Sequence, residues 1–282
     1  MKRNLMLLTM LVIGAVADAQ VHIPFRLTTY NNMLIKTVVN ERDSLNLMFQ
    51  VAMDDGAISP EATAKVVGLK FDKEGYSASN KVQIAGTNWE NVSFINNQYS
   101  GQESDGKIGM LLFKDKVLEI NYDSAELVRH EVMPSIEGYV AIPVKHRNGA
   151  MFIDVVSEIT GESYTHPFYL QSGYAGAMLY DDIFSEKNVL SEKLVTISER
   201  ELKNSAGKSV ITKTAEVSRV SVGGFELNNV AVGYFVGELK NQSFSLFGAD
   251  MMKRFNWIIN ADRTMAWIKP SKHYNEVFFR LD

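Results

Sequence analysis

Asp54-Asp55-Gly56, Asp181-Asp182 and Asp250 are the best-placed carboxylates for acid–base chemistry in this sequence, and Gln171-Ser172-Gly173 is its most suggestive small-residue turn. Two carboxylates held close together share one proton, so one acts as acid and the other as base toward a bound water. Other chemistries find less to use. The five histidines (His22, His130, His146, His166 and His273) show no metal-ligand spacing, and neither a metal nor a cofactor is expected. Ser172 and Ser205 lie near glycines but not in a Gly-x-Ser-x-Gly elbow. Val222-Gly223-Gly224 belongs to a hairpin pattern and does not precede a helix, so it does not read as a phosphate loop. Asp54-Asp55-Gly56 lacks the alternating oxygen ligands of a calcium loop and, taken alone, reads as a solvated turn. Asp181-Asp182 before Ile183-Phe184 most simply starts a short helix, where the dipole favours acids.

Residues 1–19 read as an address. Lys2 and Arg3 precede an apolar run of twelve residues from Leu5 to Val16, and Ala17-Asp18-Ala19 supplies a small-x-small cleavage pattern before Gln20. That run is shorter than the roughly twenty residues needed to cross a bilayer, so a cleaved leader and no stable membrane insertion are expected. The sequence has no cysteine, which excludes a lipid-anchored lipoprotein. Export without disulfides suggests a bacterial periplasm or a secreted protein. The 29 basic and 33 acidic residues nearly balance, and no basic stripe interleaves with aromatics, which argues against a nucleic-acid partner.

An internal repeat organises what remains. Ile23-Pro24-Phe25 recurs as Ile142-Pro143-Val144 and Phe49 as Phe168, both at an offset of 119. Val82-Gln83-Ile84-Ala85-Gly86 matches Val220-Ser221-Val222-Gly223-Gly224 at 138. Ile108-Gly109 matches Phe247-Gly248, and Ile120-Asn121-Tyr122-Asp123 matches Ile259-Asn260-Ala261-Asp262, both at 139. The order is kept and the offset rises once, so one insertion of about twenty residues is expected between Tyr174 and Val220. Alternating apolar residues around Gly86-Thr87-Asn88 and Gly223-Gly224 predict hairpins, as do Val117–Ile120 with Glu126–Val128 and Trp257–Ile259 with Met265–Ile268. Helices are expected at Ser59–Val67, opened by Ser59-Pro60-Glu61, at Asp181–Ser185, and from Asp250. Pro134 and Gly138 mark the junction, giving an N-terminal lobe over 20–135 and a C-terminal lobe over 136–282.

These residues carry a resemblance. Leu246-Phe247-Gly248-Ala249-Asp250-Met251-Met252-Lys253-Arg254-Phe255-Asn256-Trp257-Ile258-Ile259-Asn260 resembles a segment of the pepsin- and retropepsin-like aspartic peptidase superfamily, in a form seen in Bacteroidetes-type secreted proteins. Lys107-Ile108-Gly109 is the corresponding element of the first copy. The resemblance implies a mainly β, two-lobed acid-protease fold made by internal duplication, with barrel-like halves and an aspartate in an Asp-Thr/Ser-Gly turn from each lobe. In the second lobe Ser172 and Gly173 fit that turn, but Gln171 stands in the aspartate's place, and an amide neither gives nor takes a proton near neutrality. In the first lobe the offset of 119 puts Ala52 at the catalytic position. A two-residue gap would instead make Asp54 catalytic, with Asp55 replacing the usual hydroxyl; the gapless version is preferred. Asp250 falls where the family commonly caps a helix.

The expectation is therefore a monomeric, exported pseudopeptidase with degenerate motifs. Ala52, Asp54, Gln171, Ser172 and Tyr174 would line an interlobe groove that binds an extended peptide or protein segment. The alternatives are an active endopeptidase using Asp54 or Asp55, and a structural or carrier β-protein of the cell envelope.

Overall fold

The computed structural model describes residues 20–147, 149–203, 209–237 and 240–280, so the leader reading lies outside the described residues. Alternating burial builds the strands: Met33–Val39 turns Met33, Ile35, Thr37 and Val39 inward, and Ala150–Ile159 does the same with Met151, Ile153, Val155 and Ser157. Among the described residues twenty-one strands form three sheets, and the helices are short.

One sheet joins the two copies. Its order is Val21–Pro24, Glu126–His130, Val117–Asn121, Phe255–Ile259, Met265–Pro270, Val140–Pro143, antiparallel throughout. Glu119 pairs with Ile258 at its centre, flanked by Ile120 opposite Trp257 and Leu118 opposite Ile259. Exchanging residues 139 apart maps these pairs onto one another, so a pseudo-twofold axis passes between Glu119 and Ile258. Trp257, Ile120 and Ile259 are fully buried there.

Each lobe adds its own sheet, of seven strands in the first and eight in the second. In the first, Gly106–Ile108 inserts between Asp43–Phe49, to which it is parallel, and Gly56–Ile58, to which it is antiparallel. In the second, Leu246–Gly248 inserts in the same way between Glu162–Gln171 and Met178–Leu179. The inserted strand passes beneath the loop that joins its neighbours, and a glycine makes the crossing possible. A Cβ on Gly109 would lie 2.1 Å from Met53 O, and one on Gly248 would lie 2.0 Å from Gly176 O. The loops are then fastened by Met110 N donating to Met53 O at 2.8 Å and Ala249 N donating to Tyr174 O at 2.7 Å.

The long hairpins form as expected, Tyr76–Ile84 with Thr87–Ile95 and Ser209–Val222 with Phe225–Gly237. The helices Pro60–Thr63 and Asp182–Lys187 are counterparts, and the extra residues of the second copy supply the helix Leu190–Lys193 and the edge strand Thr196–Lys203. Ser59 caps the helix Pro60–Thr63 by accepting from Ala62 N, and Asp181 caps Asp182–Lys187 by accepting from Phe184 N.

Asp250 is not the cap expected for its helix. Gly248 occupies the cap position of Ala249–Met252, while Asp250 is fully buried within the helix. Its carboxylate accepts from Phe279 N at 2.8 Å and pairs with Lys253 at 3.2 Å and Arg254 at 3.4 Å. Arg254, 1 % exposed, donates to the carbonyls of Tyr274 and Glu276 and lies 3.6 Å from the centre of the Phe278 ring. The helix thus grips the C-terminal segment instead of ending on an aspartate.

Candidate functional site

Two strands, Asp43–Phe49 and Glu162–Gln171, run into loops that meet at the seam between the lobes. The inserted strands fix which residues are equivalent. Phe49 pairs with Ile108 as Leu170 pairs with Phe247, and Gln171 then falls opposite Gly248. Gln50 N continues the first ladder by donating to Ile108 O at 3.0 Å. Gln50 is therefore the counterpart of Gln171, and Val51-Ala52 the counterpart of Ser172-Gly173.

This corrects both alignments of the first lobe. Neither Ala52 nor Asp54 is equivalent to Gln171. The cause is the hairpin before each loop. Lys36 opposes Asn46 in the first lobe as Asp154 opposes Pro167 in the second. The outgoing strands are thus 118 residues apart and the returning strands 121, because the second hairpin is three residues longer. Phe168 corresponds to Leu47, and its match with Phe49 is accidental.

Ser172 holds the seam. It is 1 % exposed, and its Oγ accepts from Val51 N at 3.1 Å and donates to Phe49 O at 3.2 Å. Val51 has no hydroxyl to return the interaction, so the grip is one-sided. Asn32 Nδ2 donates to Ser172 O and Asn31 Nδ2 to Ala175 O, each at 3.1 Å, and Tyr169 OH donates to Ala52 O at 2.8 Å. The paired loops are laced together from both sides.

Gln50 and Gln171 are half-buried and converge on Gly173. Gly173 N donates to Gln171 Oε1 at 3.2 Å, and a Cβ on Gly173 would sit 2.0 Å from Gln50 Nε2. The glycine is what leaves room for two carboxamides. Such a pair presents donors and acceptors but no titrating proton.

Beside it lies a cavity of about 270 Å³, bounded by Ala52, Asp54, Met110, His146, Tyr169 and Arg263 among others. Asp54 and Asp55 are exposed, and Asp54 is the one carboxylate among the described residues lining the cavity. Burial and the neighbouring Asp54 charge raise the Tyr169 phenol above its ordinary value. Burial lowers the Arg263 guanidinium, opposed by the charges of Asp54 and Asp115. Arg263 donates to Lys116 O and Asn260 O at 3.0 Å each, tying the second copy to the first.

Of the residues expected to line the groove, Ala52 and Asp54 border the cavity and Gln171 lies at the seam. Two expected groove residues face elsewhere. Ser172 is consumed inside the grip, and Tyr174 packs back beneath its loop against Gly176 and Gly248, where burial pushes its phenol up to about 12.

No family model matches this chain. No curated protein matches it either. Among solved structures, an aspartic proteinase from Irpex lacteus superposes with a TM-score of 0.57 at 8% sequence identity, covering 92% of this chain and 99% of that one. The fold is that of the pepsin-like aspartic proteinases. At such low identity the likeness establishes the aspartic-proteinase fold and nothing of its chemistry. Gln50 is the residue of the site that the sequence reading missed. A signal existed: Phe49-Gln50-Val51-Ala52 and Leu170-Gln171-Ser172-Gly173 share apolar-Gln-x-small at an offset of 121.

Proposed function

We propose that the chain is an exported, monomeric binding protein that holds an extended peptide or protein segment between its lobes without hydrolysing it. The observation that carries this reading is the glutamine at both symmetry-related loop positions. By family resemblance each of these positions would supply one aspartate of a proton-sharing pair. Two carboxamides cannot divide a proton into an acid and a base, and among the described residues Asp54 meets no second carboxylate in the cavity.

Two features favour an extended ligand. Lys145–Arg147 is an edge strand of the eight-stranded sheet, and its His146 borders the cavity, so unpaired backbone lies where a strand-like peptide can add. The carboxamides of Gln50 and Gln171 each match the donor and acceptor of a peptide bond. Export rests on the leader-like residues 1–19.

The test separates binding from cleavage. Denatured protein and labelled extended peptides are incubated with the mature chain at acidic and neutral pH; new termini are sought by mass spectrometry and binding by fluorescence anisotropy. Saturable binding with intact peptide is expected. Cleavage that a statine-type inhibitor blocks and Asp54→Ala abolishes would replace this reading with an active endopeptidase.

A further inference from the structure

The second lobe holds a further pocket, on the far side of the edge strand Lys145–Arg147, whose interior the interlobe reading does not use. Its volume is about 530 Å³, and it opens between the hairpin Ala150–Ile159/Glu162–Gln171, the helix Asp182–Lys187 and residues 243–245. Its walls are largely rings: Phe152, Tyr164, Phe184 and Phe244, with His166 among them. Phe152 and Phe244 meet edge-to-face at 5.3 Å, and the imidazole of His166 lies 4.4 Å from the Phe184 ring.

His166 is held in place from behind. Its Nε2 is 2.8 Å from Asp181 Oδ2 and 3.0 Å from Ser245 Oγ, and Ser245 Oγ donates to the same carboxylate oxygen at 2.7 Å. Asp181 is buried and also accepts from Phe184 N at 2.8 Å. Hydrogen bonds from His166, Phe184 N and Ser245 together keep its carboxyl below the ordinary value although burial alone would raise it. This is not a nucleophile's arrangement. Ser245 is 1 % exposed, and the same imidazole nitrogen faces both of its partners. Nδ1 makes no hydrogen bond among the described residues, so the imidazole is fixed in direction with one nitrogen left for a ligand.

Charge at the mouth is one-sided. Arg147 and Lys187 line the pocket, both exposed, and neither has an ion-pair partner among the described residues. Arg147 lies 5.4 Å from the centre of the Phe152 ring. Asp181 is the pocket's only carboxylate among the described residues and is already satisfied. Flat apolar walls call for a ring, and two unpaired cations call for an anion.

We propose that this pocket binds a small arene carboxylate, its ring between Phe152, Phe184 and Phe244 and its carboxylate against Arg147 and Lys187. The pocket adjoins the interlobe cavity through Phe152, which stacks on Tyr169 at 5.4 Å, but shares no lining residue with it, so a titration of the pocket does not require the cavity to be filled. Naphthoate is titrated calorimetrically into the mature protein, with naphthylmethanol as the neutral analogue. Naphthoate should bind saturably and more tightly than the alcohol. The double variant Arg147→Gln/Lys187→Gln changes two exposed side chains; it should weaken naphthoate about tenfold and leave the alcohol unchanged. Asp54→Asn, in the other cavity, should leave naphthoate affinity as it is. Absence of saturable binding, equal affinity in the parent and the double variant, or loss of binding in Asp54→Asn would each overturn the proposal.

Discussion

Ser172→Ala should open the seam between the lobes. The substitution keeps the backbone and removes one oxygen, which now receives Val51 N and donates to Phe49 O from a side chain 1 % exposed. Val51 N–H would be left buried without its acceptor, costing about 1–3 kcal/mol, and the lost bond to Phe49 O adds about 0.5–1.5 kcal/mol. A loss of about 2–4 kcal/mol follows, and each kcal/mol lowers the melting temperature of a chain this size by about 2–4 °C. Hydrogen exchange at the Val51 amide reports the event directly, because that proton should become the least protected of its loop. Ser172→Thr retains the oxygen and should preserve protection. Val51→Thr supplies the missing hydroxyl of the one-sided grip and should raise protection at Ser172 N. Unchanged Val51 protection in Ser172→Ala, with stability within about 0.5 kcal/mol of the parent, would refute the view that this hydroxyl joins the lobes.

Three further outcomes are expected. Gln50→Asp/Gln171→Asp places paired carboxylates at the seam, and the two should titrate as a coupled pair with one value raised, read by carboxyl NMR; two independent ordinary titrations would show that the side chains do not converge. Asp250→Asn leaves the Arg254 charge buried without its partner, so a loss of about 3–5 kcal/mol is expected, with early proteolysis after Ser271; a tail that stays protected would count against the clamp. Glu119 is held below the ordinary carboxylate range chiefly by its hydrogen bond from His130, with burial opposing. Its folded value being the lower one, its contribution is present above the unfolded value near about 4.3 and fades as pH falls through the folded value. The stability gap between the parent and Glu119→Gln should therefore shrink on acidification; urea titrations in which the gap stays constant with pH would contradict this.

Much of the fold was legible because its determinants are local. Alternation of apolar residues announces the hairpins, and Gly109 and Gly248 recur where one strand must pass beneath a loop. Those features repeat at nearly constant spacing, so the duplication is visible without coordinates. The seam was harder. A hairpin can lengthen by three residues without disturbing its alternation, and the compensating shift hid behind the chance match of Phe49 with Phe168. Ala52 and Asp54 were consequently placed where Gln50 belongs. Asp250 failed for a different reason: beside its i,i+4 partner Arg254 it accepts from Phe279 N, a contact set by how residues 271–280 return, which no window around the helix reveals. Tyr174 was expected in the groove because it follows the Gln171-Ser172-Gly173 turn, whereas here the close approach of Gly248 gives the ring room to turn inward.

The residues on the pseudo-twofold axis bear on whether one half could pair with a second copy of itself. In a symmetric pair of identical chains, whatever sits on the axis must face its own copy. Here Glu119 faces Ile258. Residues 20–135 pairing with themselves would set Glu119 against another Glu119 across adjacent strands, where like charges repel. In a single polypeptide that constraint is absent, and one side of the axis carries a carboxylate bound to His130 while the other is apolar. The isolated first half should accordingly fail to assemble into a stable dimer at neutral pH by sedimentation, because each half needs the other's unlike residue across the axis.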